Sequence, residues 1–259
     1  VNEIRLQGVS SWSPRRMATL LSSVPELRRY FILGTNSGGR SVLGTVIHAI
    51  GTYIVPLGVA LLAAVGIGLT LAIVAGYLLF RRPRYARNIY SAVETFDSIP
   101  KFLLVVLFLP VVGSVGSEQN MLTLIMLVTG AALFPIVYKT VYHRIRRLME
   151  EDFPAAEGVL GAGATRILLY HILVRNSRHP FMGSLLEVLG VSVLIESTLG
   201  FLDLVRGRYV SLGALVPSRL IVVDNPWEIW APVIVIDLMI VGALLAHQII
   251  EARTLKDRL

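Results

Sequence analysis

Three carboxylates, Glu187, Glu196 and Asp237, stand inside apolar runs long enough to cross a bilayer. A charge at that depth costs on the order of 3 kcal/mol, so each must handle an ion, serve a gate or meet a partner group. Glu187 lies near one end of its run, within reach of water, whereas Glu196 lies deeper. Asp237 would favour a cationic group if it lined a path, and would be architecture if it met an arginine of a neighbouring subunit. Other chemistry is poorly provided for. His48, His143, His171, His179 and His247 are scattered with no i, i+4 pair, and the sequence holds no cysteine, so no metal-ligand set is predicted. No serine lies in a nucleophile elbow, which disfavours an intramembrane enzyme with a catalytic residue of its own. No Gly-x-x-x-x-Gly-Lys-Ser/Thr stretch cradles a phosphate, so any use of ATP falls to another subunit.

The elements that hold these groups follow from composition. In 259 residues, 54% are hydrophobic and only 16% charged, with a mean hydropathy of +0.69, which is too apolar for a soluble domain. The net charge of +7 does not indicate nucleic acid, because most of the 24 Lys and Arg residues fall between the apolar runs. A bilayer needs about 20 apolar residues per helix. Five spans are predicted: Thr52 to Phe80, about Ile89 to Val112, Met121 to Tyr138, about Phe181 to Leu202, and about Trp227 to Ile250. The first carries Gly58, Gly66, Gly68 and Gly76 as small residues for close helix packing. The second opens amphipathically with Glu94 and Asp97, and Pro100 is expected to kink it.

The fold class is therefore all-α, a polytopic transmembrane bundle of about five spans, or six if a further helix precedes Val1. Val1 begins no short charged region followed by an apolar signal core, so no signal peptide is predicted. Basic residues mark the cytoplasmic side. "RRPRYARN" carries four Arg, the segment Lys139 to Pro180 carries seven Lys or Arg, and "EARTLKDRL" carries three, all on one face of a five-span chain. Residues 1–40 then fall on the extracytoplasmic side or along the interface despite Arg5, Arg15, Arg16, Arg28, Arg29 and Arg40. Residues 41–259 form the transmembrane domain, with a cytoplasmic loop at 139–180.

Within that loop, "EEDFPAAEGVLGAG" is polar and Gly-rich. Pro154 suits only a helix's first turn, and Gly161 and Gly163 interrupt the pattern, which predicts two short helices around a glycine turn. Ile167, Leu168, Ile172 and Leu173 follow at helical spacing, fit to lie along the membrane or pack under the bundle. Loops of this length inside compact proteins are usually functional.

These residues resemble the cytoplasmic loop of binding-protein-dependent ABC importer permeases, in the dipeptide, oligopeptide and nickel branch. The branch's pattern runs D-Y-V-E-A-A-x-x-L-G-A, then H-I-L-P. Asp152 and Phe153 take the first two places, Ala155, Ala156 and Glu157 the E-A-A places, Leu160, Gly161 and Ala162 the L-G-A places, and His171, Ile172 and Leu173 the H-I-L places. Ala155 stands where the pattern has Glu, and Val174 where it has Pro. "LGTNSGGRSVL" is similar to the branch's L-G-T-D-x-x-G-R-D-V-L, "ETFDSIP" to D-x-x-x-S-I-P, and "LIESTLGFLDL" to L-x-E-x-x-L-S-F-L-G-L, with Glu196 on the motif's E. "NPWEIWAPVIVIDLMIVGALLAHQI" is similar to the closing helix.

The resemblance implies a permease subunit in a bacterial or archaeal cytoplasmic membrane, carrying peptides or nickel. It implies a second, similar permease, two ATP-binding subunits that hold ATP and Mg, and an extracytoplasmic substrate-binding protein. It further implies that Glu151, Asp152, Phe153, Ala155, Ala156, Glu157 and Gly161 form a coupling helix seated in the ATPase. Glu196 and Asp237 remain candidates for the translocation path or a gate. The rival reading is a stand-alone secondary transporter in which those two carboxylates carry protons or bind ions.

Overall fold

The computed structural model describes residues 31–117, 120–151, 163, 167–168, 170, 178–204, 210–216 and 225–256. Eight helices are described: α1 Val42–Arg81, α2 Pro83–Asp97, α3 Lys101–Val115, α4 Met121–Ala132, α5 Phe134–Met149, α6 Arg178–Phe201, the short α7 Leu212–Leu215, and α8 Trp227–Lys256. No strand longer than the single Thr35 to Ser41 bridge accompanies them among the described residues. Four stretches are long and apolar enough to span a membrane, and the bent pair α2 and α3 makes up to five. The all-α bundle expected from the sequence is therefore observed.

The fourth and fifth spans lie where the sequence puts them, with α8 running on to Lys256. The others differ instructively. Helix α1 has 40 residues, about 60 Å at 1.5 Å per residue, so it outruns a hydrocarbon layer of about 30 Å. The predicted third span continues through α4 and α5 to Met149. The predicted second span is not one kinked helix: α2 and α3 meet at 79°. Pro100 is the N-cap of α3, where its ring cannot accept a continuing helix.

Close packing is carried by one seam of α1. Ala49, Tyr53, Pro56, Ala60, Ala64, Gly68, Ala72 and Gly76 are all buried, recurring every three or four residues on one face. Small side chains there let backbones approach, since lipid supplies no hydrophobic drive between helices. A Cβ on Gly68 would stand 2.7 Å from the Phe134 carbonyl oxygen, and one on Gly76 would stand 3.0 Å from Ile145. Gly58 and Gly66, expected to join them, have nothing within 4 Å of such a Cβ and face outward. Periodicity separates the two pairs: positions 60, 64, 68, 72 and 76 share a face that 58 and 66 miss.

Residues 31–41 form a tight turn ahead of α1. The Asn36 Oδ1 accepts the N–H groups of Gly38 and Arg40 at 3.0 and 2.9 Å, and the Ser41 hydroxyl caps α1 by accepting from Gly44 N at 3.2 Å. A carbonyl oxygen is all that the turn asks, so Asn36 serves where the resembling pattern has Asp. Gly39 at φ 71° is in the left-handed region that favours glycine. The turn is held on the start of α8: Asn225 Nδ2 donates to Leu33 O at 2.8 Å, and Ser37 N donates to Glu228 Oε1 at 2.9 Å.

Candidate functional site

At the end of the bundle opposite the basic loops, three elements converge on a buried carboxylate. Glu196, on α6, is fully buried. The Tyr53 hydroxyl, from the α1 seam, donates to Glu196 Oε2 and accepts the Leu212 N–H at 3.2 Å. Tyr53 thus occupies both halves of its hydrogen-bonding capacity, with a carboxylate on one side and a helix-terminal amide on the other. Helix α7 needs such help, since the first amides of a helix have no partner inside it. Its Ser211 hydroxyl accepts Ala214 N at 3.0 Å, and the first amide of the helix, that of Leu212, goes to Tyr53. Gly213 lies so close to α6 that a Cβ there would stand 2.1 Å from Ser197 O. The arrangement straps residues 210–216 to both α1 and α6.

A second cluster sits at the bend. Asp97, last residue of α2, accepts from Lys101 Nζ at 2.9 Å and from Lys139 Nζ at 2.7 Å. Lys101 also donates to the Phe96 and Asp97 carbonyls at 3.2 and 2.9 Å, so its ammonium satisfies the carbonyl end of α2 where the ladder breaks. Rings extend the contact between α2 and α5: Phe96 on Phe134 at 5.1 Å and Tyr90 on Tyr142 at 5.6 Å. The bend is thereby tied to α5, the helix that leads into the 150–163 segment. Because Asp97 and Lys139 are each 29% exposed, Lys139→Met is expected to lower stability by only about 1 kcal/mol. Asp97→Asn should cost more, since two lysines lose their anion, and the double variant less than the sum. Thermal unfolding of the three variants in detergent measures this coupling.

At the basic end, α1, α5 and the returning chain meet. A Cβ on Gly76 would touch Ile145 and Leu168 at 3.0 and 3.1 Å, and Ile167 and Leu168 are buried. Of the two placements expected, along the membrane or under the bundle, these two take the buried one; Ile172 and Leu173 lie outside the described residues. Glu151 is exposed just past α5, and Gly163 is exposed with open space around it. Asp152, Phe153, Ala155, Ala156, Glu157 and Gly161 lie outside the described residues.

The three carboxylates separate cleanly. Glu196 is interior, Glu187 is half-buried, and Asp237 is exposed on α8. Asp237 therefore does not face the interior of this chain's bundle. Sequence reasoning singled out Glu196 but not Tyr53, and Asp97 but not its partner Lys139. Each pair joins residues far apart in the chain, and the one available signal was the polar group itself, a hydroxyl and an ammonium within apolar helices. Among the described residues no three His, Asp or Glu side chains form a metal-sized cluster.

No family model matches the chain. It is 28% identical over 222 residues to the dipeptide transport system permease protein DppC of Alkalihalophilus pseudofirmus, a match covering 84% of this chain and 68% of the relative. It is 26% identical over 228 residues to the peptide transport system permease protein SapC of Escherichia coli, covering 85% and 74%. The fold is similar to that of a chain in inward-facing structures of the MetNI methionine ABC transporter, with a TM-score of 0.63, 15% identity, and coverage of 80% of this chain and 95% of that one.

Proposed function

We propose that this chain, which has the fold of an ABC importer permease and the sequence likeness of the peptide-transport permeases, is a membrane-embedded subunit of a peptide importer. It pairs with a second permease and takes its energy from separate ATP-binding subunits, which hold ATP and Mg. An extracytoplasmic binding protein delivers the solute. Peptides are favoured over nickel because the relatives are named for dipeptide and peptide transport.

The observation that carries this reading is the junction at the basic end. Gly76 of α1, Ile145 of α5 and Leu168 meet there, and Glu151, just past α5, and Gly163 are exposed. A segment rooted in two packed helices moves them as a rigid body when it is pushed, which is what coupling to an ATPase requires. The Asp97 cluster extends that lever to the bend of α2 and α3. In this reading residues 31–41 and 210–216 lie at the extracytoplasmic face.

The test is purification of the tagged chain from membranes of cells making the whole transporter, beside a variant lacking residues 151–163. Only the intact chain should recover an ATPase, and the recovered complex should hydrolyse ATP. Equal recovery by both forms removes the coupling role. Uptake that persists without any ATPase subunit and collapses with the ion gradient would instead establish the secondary transporter.

A further inference from the structure

Asp237 lies near the middle of the α8 span, Trp227–Ile250, where a carboxylate facing hydrocarbon is most costly. It is exposed, and it makes no hydrogen bond or ion pair with another described residue. Other charges within the helices are placed differently: Glu196 is buried on Tyr53, Asp97 and Lys139 hold each other, and Glu187 is half-buried in the first half of α6. The outward faces of α1 and α3, through Ile54, Leu62, Leu103 and Leu107, are apolar and suit lipid. The stretches Thr52 to Phe80 and Phe102 to Val115 hold no charged residue. The face of α8 that carries Asp237 is thus unlike the lipid-facing ones.

The surroundings of Asp237 decide what covers it. Trp230, Asp237, Val241, Leu244 and Gln248 recur along one side of α8, all exposed. One turn to either side of Asp237 the stripe is Ile234 and Val241, both apolar and exposed. A water-filled path would be lined by further polar groups at this depth, whereas a dry helix contact needs one complementary charge. A second copy of this chain does not supply it. Copies inserted in the same orientation meet about a two-fold axis along the membrane normal, which sets each Asp237 opposite the other. Gln248 on the same stripe is eleven residues away, about 16 Å along the helix.

We propose that this side of α8 docks a helix of a different membrane subunit, one that presents apolar residues and a single Lys or Arg at the depth of Asp237. The pairing rests on the reading that the chain works with a second permease, and adds to it which face is used and why the pair is not two identical chains. Charge at mid-depth then fixes the register and the partner, as a lone polar group does in a coiled coil.

The absence of cysteine makes the test clean. In native membranes holding the whole transporter, a photoreactive residue replacing Val241 should give an adduct with a second multi-pass permease, and the same residue at Val74 on α1 should not. Asp237→Lys should lower the adduct yield on the order of tenfold by setting cation against cation, while Asp237→Asn, the milder change, should lower it two- to threefold. Single cysteines at Val241 and Leu244 should resist a charged thiosulfonate reagent. Rapid modification of those cysteines, an adduct between two copies of this chain, or adducts with lipid alone would each overturn the proposal. An ATPase still recovered by the tagged chain in that case would show that the docking face alone is wrong; loss of the ATPase as well would remove the importer reading beneath it.

Discussion

Gly130→Ala is expected to destabilise the bundle by about 3 kcal/mol, the upper part of the range for overpacking. A Cβ at this position would lie 2.1 Å from the Ala60 carbonyl oxygen and 2.6 Å from the Ala60 Cα. Both are backbone atoms in the middle of a 40-residue helix, so no rotamer change can make room. The helices must part by about 1 Å, and the contacts along the same seam loosen together because dispersion falls steeply with distance. Gly58→Ala and Gly66→Ala, with open space around them, are the matched controls and should gain up to about 1 kcal/mol from helix propensity. Unfolding of the three variants in one detergent separates the effects. A midpoint for Gly130→Ala equal to the controls would mean that α1 and α4 are not in backbone contact.

The same contrast shows what could be read from sequence and what could not. A bundle of membrane-length helices follows from hydropathy alone, because a bilayer imposes length, and the Lys and Arg bias adds the expected sidedness. The glycines of α1 were countable but not sortable until the buried face was known; once Ala60 and Ala64 are seen inside, Gly68 and Gly76 follow by fours. The break at Pro100 was visible as a proline, yet its 79° angle is set by what catches the broken end. Lys101 binds the freed carbonyls and Lys139 reaches Asp97 from 42 residues away. Pairings at such separation leave no local pattern, and Tyr53 with Glu196, 143 residues apart, is another case. The carboxylate could be flagged by its cost; its partner could not.

Tyr53→Phe is accordingly the second large effect expected, at about 2 to 3 kcal/mol. The substitution keeps the ring in the α1 seam and removes only the hydroxyl, so packing is nearly unchanged and the loss is polar. Two groups are left behind at once, a buried carboxylate oxygen and the Leu212 amide, and an unsatisfied buried group costs about 1 to 3 kcal/mol. Glu196→Gln retains an acceptor for the hydroxyl and should cost no more than about 1 kcal/mol. Tyr53→Phe combined with Glu196→Leu should cost less than the sum of the two single changes, since the second removes a group that the first has stranded. Amide exchange at Leu212 is the readout that a general packing defect would not single out. It should accelerate more than tenfold in Tyr53→Phe while amides in the α4 core hold their rates, because residues 210–216 lose their strap but the bundle does not. Uniform acceleration across the chain would mean that Tyr53 is only core. Retention of the wild-type rate at Leu212 would mean that Gly213 against Ser197 holds the segment unaided, and Glu196 would then have to be explained by what passes it rather than by what it ties down.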